Sequence, residues 1–347
     1  MKLKNSSKIF ILFVAMIITA VNSPVIMNSV KASLSICFSA IVPSLFPFMI
    51  LSSAFTAYAD TQSLKLIAPF TRKILGISPF GAGAFICGVI SGYPIGAKTV
   101  CELYTAGKIT KSEAESLIAY SNNSGPLFVI GAVGVGIYNS ATLGICLYLV
   151  HIICALTCAL VLRAYTYSAD VKIKSTRQAV SFTECICQSV NNILKVCGFV
   201  VFFGVLCKIA EPAIGIFPQG MQCVLYSMLE ITNGIKYTAS APISNALKLS
   251  LTAGALSWSG ISVHMQVKEI IKNTNLSLKK YFFAKVCTSI LSALIAYMAY
   301  TGTDRIVAAI NIEKTQGIFA LIALLSVVIL ILKHKKRGAS SSFSERN

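Results

Sequence analysis

Residues 116–162 contain no Asp, Glu, Lys or Arg, and neither do residues 32–59 or 74–97. About 20 mostly apolar residues cross the hydrocarbon of a bilayer as one helix, so the first of these runs is long enough for two passes. A single soluble core has nowhere to bury such segments. The whole chain agrees: of 347 residues, 55% are hydrophobic and 12% charged, against about 25% charged in an ordinary soluble protein. The mean hydropathy is +0.75. Soluble enzyme, nucleic-acid binder and disordered scaffold are excluded as classes. The expected fold is an all-α polytopic membrane protein.

Eight crossings are expected. Lys2, Lys4 and Lys8 precede an apolar stretch from Ile9 without an A-x-A cleavage site, which reads as an uncleaved first helix. Residues 31–60 form the second crossing, kinked at Pro43 and Pro47. Residues 116–162 supply two passes divided near 138–140, and 189–210, 249–267, 286–303 and 315–332 supply the rest. Residues 74–97 are uncharged but carry Pro79, Gly81, Gly83, Gly88, Gly92, Pro94 and Gly96, which makes a continuous helix a poor reading. With 221–234 they are expected to be re-entrant hairpins. Thr110-Lys111-Ser112-Glu113 reads as a capping box. Residues 163–184, 211–220 and 268–285 read as loops.

Lys plus Arg number 30 and Asp plus Glu 12, a net charge of +18. The basic residues sit between apolar blocks, where they set topology. The N-terminus and residues 72–73, 163–177, 268–285 and 333–337 are therefore expected in the cytoplasm, as for a multi-pass protein of the cell membrane with both termini cytoplasmic. No basic run interleaves with aromatics as a nucleic-acid groove requires, so nucleic acid is not an expected partner. The 12 cysteines include no CxxC pair, and Cys154 and Cys158 share a helix face without a His or carboxylate to complete a metal site. No HExxH, Walker A or GxGxxG motif is present. No metal, cofactor, catalytic residue or enzymatic activity is expected.

The chain also repeats itself. Residues 88–98 align with 228–236, and Ser121-Asn122-Asn123-Ser124-Gly125-Pro126 aligns with Ser257-Trp258-Ser259-Gly260-Ile261 at a nearly equal offset. If the two Gly/Pro-interrupted segments do not cross, the first enters from the cytoplasm and the second from outside, an inverted repeat of the kind found in many secondary transporters. The corresponding units are an N-terminal helix (1–31), a first repeat (32–165), a basic cytoplasmic loop (166–187), a second repeat (188–300) and a last helix with a basic tail (301–347).

Backbone groups freed by Gly and Pro cannot face lipid, so the paired breaks are where a binding site is sought. Ser91, Gly92, Tyr93, Pro94 and Gly96 form a hairpin tip whose amides could hold a solute; the alternative is a kink packed tightly through small residues. Asn122, Asn123, Ser124 and Gly125 offer amides and a hydroxyl to a solute, or cap a helix. Thr232, Asn233, Gly234, Ser259 and Gly260 are their counterparts in the second half. Glu230 is a candidate ion-coupling group, as an ionisable residue at membrane depth; the alternative is an ion pair with Lys236 or Lys248. Ser259 and His264 lack the Gly-x-Ser-Gly pattern of an intramembrane protease and read as cavity or packing residues.

Pro43-Ser44-Leu45-Phe46-Pro47-Phe48, Ser91-Gly92-Tyr93-Pro94-Ile95-Gly96-Ala97-Lys98, Ser121-Asn122-Asn123-Ser124-Gly125-Pro126-Leu127-Phe128 and Ser262-Val263-His264-Met265-Gln266-Val267 resemble, in order along nearly the whole chain, the sporulation integral membrane protein YlbJ family. The resemblance implies a multi-pass protein of endospore-forming bacteria that serves the spore cortex. It also implies a Gate domain, named for likeness to nucleoside transporters and to the membrane part of ferrous iron transporters.

The leading expectation is a secondary transporter that moves a small polar solute, such as a nucleoside-like compound, between the hairpin tips, with H⁺ or Na⁺ at Glu230. The alternative is a non-transporting scaffold for cortex assembly that works through its basic loops; a third reading, a lipid-linked precursor flippase, requires a wide hydrophilic groove. The expected partners are the lipid bilayer and the solute, with a homo-oligomer or other sporulation membrane proteins also admitted.

Overall fold

The computed structural model describes residues 5–59, 75–163 and 181–310, and these form helices and turns without a strand. In chain order the helices are α1 (Asn5–Val21), α2 (Ser23–Ile36), α3 (Val42–Tyr58), α4 (Pro79–Ser91), α5 (Ile95–Thr105) and α6 (Lys111–Ser121). A π-helical segment (Leu127–Val135) follows, then α7 (Ala141–Leu162) and α8 (Phe182–Ile214). The last are α9 (Gln219–Leu229), α10 (Ile231–Ser240), α11 (Asn245–Trp258), α12 (Gly260–Ile271) and α13 (Lys279–Ile310).

Four of these stretches are long and apolar enough to cross a membrane: Ser23–Tyr58, Ala141–Leu162, Phe182–Ile214 and Lys279–Gly302. Their outer faces carry large apolar side chains in the open, among them Phe38, Leu194, Phe283 and Met298, each more than half exposed. Water would make such surfaces costly, and lipid does not.

The element order occurs twice. A long helix (α2–α3) is followed by a helical hairpin (α4–α5), a helix broken in the middle (α6 and the π-helical segment) and another long helix (α7). The same four parts return as α8, α9–α10, α11–α12 and α13. Like parts pack on like: α2 and α3 lie along α8, and α7 lies along α13. Phe80, Val100, Leu117, Val263 and Tyr281 share one core cluster, so the two halves fold as a single body.

Hydroxyl side chains cap five of these helices. The side chains of Ser78, Thr110, Ser140, Ser181 and Ser244 each accept a hydrogen bond from the backbone N–H three residues on, a contact typically worth about 1 kcal/mol. The capping box at Thr110 is half made. Thr110 accepts from Glu113 N at 3.2 Å, but the Glu113 carboxylate turns to Ser78 N at 2.7 Å and holds the start of α4. The kink expected at Pro43 and Pro47 appears as a π-turn at Cys37–Ile41. Proline cannot donate to the carbonyl four residues back, and the wider turn absorbs the missing bond.

Several expected boundaries move. No loop separates the first two expected crossings: only Asn22 stands between α1 and α2, and helical bonding continues through Asn22 N to Ile18 O and Ile26 N to Asn22 O. The expected loop at 211–220 starts later, because α8 carries Pro212 inside its last turn and ends at Ile214. The expected basic loop at 268–285 shrinks from both ends, since α12 runs to Ile271 and α13 begins at Lys279. That change moves Lys285 from a loop to a buried helix position. The basic loop of 166–187 gives up its last residues to α8. The basic segments at 72–73, 164–180 and 333–337 and the crossing at 315–332 lie outside the described residues.

Candidate functional site

The first hairpin turns at Ser91, Gly92, Tyr93 and Pro94. Gly92 has φ +85, a left-handed conformation that glycine adopts without strain. Its Cα faces the break that follows α6: a Cβ there would stand 2.7 Å from Gly125 N. On the flanking helices, a Cβ on Gly88 or Gly96 would fall 1.8 Å or 2.1 Å from Ser121 O. The glycines of the hairpin therefore let α4 and α5 straddle the end of α6 backbone to backbone. Close packing through small residues is the role the structure gives Gly88, Gly92 and Gly96.

The second hairpin turns at Glu230, which is 1% exposed. Its carboxylate caps α10 by accepting from Asn233 N at 2.7 Å and Asn233 Nδ2 at 2.9 Å. It pairs with neither Lys236 nor Lys248, and Lys248 instead donates to Ala239 O at 2.8 Å. Gly234 lets α10 close on α9, where a Cβ would lie 2.3 Å from Ser227 Cα. The break that follows α11 adopts left-handed geometry at Ser259 (φ +74) and Gly260 (φ +78). A Cβ on Gly260 would stand 3.1 Å from Ile231 N and 3.3 Å from Glu230 Cα. Each hairpin tip thus rests against the break in the next helix of its own repeat, Gly92 on Gly125 and Glu230 on Gly260.

Both tips border one cavity. About 40 Å³ in volume, it is bordered by Tyr93 and Gly125 from the first repeat and by Glu230, Thr232, Ser262 and Gln266 from the second, and the rest of its wall is mostly apolar, Leu45, Phe128 and Val263 among it. A larger vestibule of about 280 Å³ adjoins it, sharing Val196 and Gln266, and carries Lys98, Glu102, Lys195, Glu269 and Lys272. Lys98 pairs with Glu102 at 3.2 Å and also donates to Ser53 Oγ. Gln266 is buried, its amide Nε2 lies 3.4 Å from Ser262 Oγ, and its Oε1 meets no protein donor. A buried acceptor in that condition costs about 1–3 kcal/mol.

The other sequence candidates sit behind this wall. Asn123 Nδ2 donates to Tyr120 O at 2.7 Å, and Ser124 Oγ donates to Leu256 O at 3.1 Å. Asn122 Nδ2 donates to Tyr281 OH at 3.3 Å. None of the three lines the cavity; of that break only Gly125 does. Ser91, Gly92, Gly96, Asn233, Gly234, Ser259 and Gly260 shape the wall without lining it, and Pro94 reaches the vestibule. His264 lies against the rings of Trp258 and Tyr281 at 4.3 and 5.1 Å.

Two residues that sequence reasoning passed over tie the breaks together. Lys285 Nζ donates to Asn122 O at 2.6 Å and to Ser259 Oγ at 3.3 Å. His151 Nε2 accepts from Ser124 N at 3.0 Å, and its Nδ1 lies 3.0 Å from Ser257 Oγ. A backbone N–H can only donate, so Nε2 is the bare nitrogen and Nδ1 carries the proton that Ser257 accepts. The signal that could have found both residues is spacing: His151 lies 27 residues after Ser124 and Lys285 lies 26 after Ser259.

The chain is 27% identical to the sporulation integral membrane protein YlbJ of Bacillus subtilis (strain 168), an alignment that covers 78% of this chain and 76% of that protein. That similarity supports the YlbJ family. An integral membrane relative and several apolar helices together support a place in the membrane for this chain. No family model matches it, and no solved structure does.

Proposed function

We propose that the chain is a secondary transporter of a small polar solute, such as a nucleoside-like compound, and that it serves sporulation as its Bacillus relative's name indicates. The reading is of a carrier rather than an enzyme. The observation that carries it is the convergence of both hairpin tips, through Tyr93 and Glu230, on one cavity. Repeated element order supports an inverted arrangement. Each repeat has one long helix, one broken helix and one further long helix, hence three crossings, while its hairpin returns to the side it came from. Three is odd, so the second copy must enter the membrane from the opposite face.

Pockets for drug-sized ligands run from about 300 to 1,000 Å³. The 280 Å³ vestibule approaches that range and the 40 Å³ cavity does not. In this reading the solute waits in the vestibule, on the side bearing Lys98, Lys195 and Lys272, which the positive-inside rule assigns to the cytoplasm. The tips must part before it can pass. Uptake of radiolabelled uridine and adenosine into proteoliposomes tests this. Accumulation by wild type that Gln266→Ala abolishes is the expected result; no uptake of either compound, with folded protein in the vesicles, overturns it.

A further inference from the structure

We propose that Lys285 is a tethered cation: its ammonium fills, between the two broken helices, the position that a free monovalent metal ion would otherwise take, and so latches one repeat to the other. The purpose given to the latch rests on the carrier reading; its existence does not.

Lys285 is 2% exposed, on the fourth part of the second repeat. Its two oxygen partners come from different repeats, the Asn122 carbonyl just past the C-terminus of α6 and the Ser259 hydroxyl just past the C-terminus of α11. No carboxylate pairs with it among the described residues. The acids of α6 are committed elsewhere, Glu113 to Ser78 N and Glu115 to Ser277 N. The other titratable groups around it are Tyr281, whose ring centre lies 5.8 Å from Nζ, with His151 and Cys158 on α7 and His264 on α12.

An isolated buried ammonium is costly, so something must offset the charge. Two helix C-termini contribute, each carrying about −0.5 of an elementary charge; α12 starts at the same Ser259 with its opposite end, so the Asn122 carbonyl and the Ser259 hydroxyl supply the rest of the compensation. Unwound carbonyls and half-helix C-termini are the ligands with which broken-helix transporters hold a coupling cation. Here that ligand set is occupied by the side chain of α13.

Lys285→Ala removes three methylenes and the amine, the atoms of n-propylammonium. The thermal midpoint of the full-length protein in nanodiscs is expected to fall by several degrees with Lys285→Ala and to recover with added n-propylammonium chloride. Wild type and the uncharged, space-filling Lys285→Met are expected not to respond to the amine. Absence of rescue in Lys285→Ala, or equal response in all three proteins, overturns the proposal. If Lys285→Ala does not fold, Lys285→Met decides: a midpoint below wild type supports the latch, and one equal to wild type overturns it. The wild-type midpoint is also expected to be the same in sodium and choline chloride, and a sodium-specific rise overturns the proposal. None of these readings depends on solute uptake, so failure of the carrier reading and failure of the latch are separate results.

Discussion

His151 and Lys285 occupy matching stations in the two repeats and exchange arms across them. His151, on α7, bonds Ser124 in its own repeat and Ser257 in the other; Lys285, on α13, bonds Ser259 in its own repeat and Asn122 in the other. Two breaks that would each leave backbone groups unsatisfied in a membrane are thus closed by two basic side chains, reciprocally.

Loss of either arm should be felt. His151→Ala leaves Ser124 N and Ser257 Oγ without their partner, and a stranded buried donor costs about 1–3 kcal/mol. Thermal unfolding in nanodiscs should show that loss. A double-mutant cycle with Ser257→Ala should return a coupling of about 0.5–3 kcal/mol, as expected for residues in one network. Additive effects would show that the contact contributes nothing.

Glycine substitutions should separate into two groups. Gly92→Ala and Gly96→Ala place a methyl 2.7 Å from Gly125 N and 2.1 Å from Ser121 O, backbone atoms that cannot swing away. Their yield of monodisperse protein should drop sharply. Gly131→Ala and Gly198→Ala meet nothing within 4 Å and should be neutral or stabilising by about 0.5–1 kcal/mol, since alanine is the better helix former.

Glu230 has two duties that can be parted. Glu230→Ala removes the cap of α10 and should cost about 1 kcal/mol. Glu230→Gln keeps an oxygen for Asn233 N and should retain most of the stability. If the carboxylate also serves ion coupling, Glu230→Gln loses uptake while its midpoint stays near wild type; unchanged uptake would remove Glu230 from the coupling step.

Gln266 lines both the cavity and the vestibule, with its Oε1 unmet by protein. Gln266→Leu has nearly the same size and removes the unmet acceptor, so stability should hold or rise. Uptake should fall at least tenfold, which corresponds to about 1.4 kcal/mol of lost solute binding. A fall in stability with uptake unchanged would place Gln266 in packing alone.

Much of the architecture was legible along the chain. Charge-free runs marked the long helices, and clustered Gly and Pro inside such runs marked the hairpin at Gly92 and the breaks at Gly125 and Gly260, because these residues weaken a helix and make a break less costly there. The candidate site was legible in outline only. Tyr93 and Glu230 line the cavity, whereas Asn122, Asn123 and Ser124 turn inward to protein partners. Lys285 read as the end of a basic loop because a lysine beside Lys279 and Lys280 has the statistics of a loop.

What the sequence determined by itself is therefore the solvent, the helical elements and the places where they break. These follow from local composition, which each segment carries wherever it packs. Which polar groups meet was decided by tertiary structure alone. The carbonyl of Asn122 and the amine of Lys285 lie 163 residues apart and touch because α6 and α11 end beside α13. No local pattern encodes that meeting, since it depends on how two repeats cross.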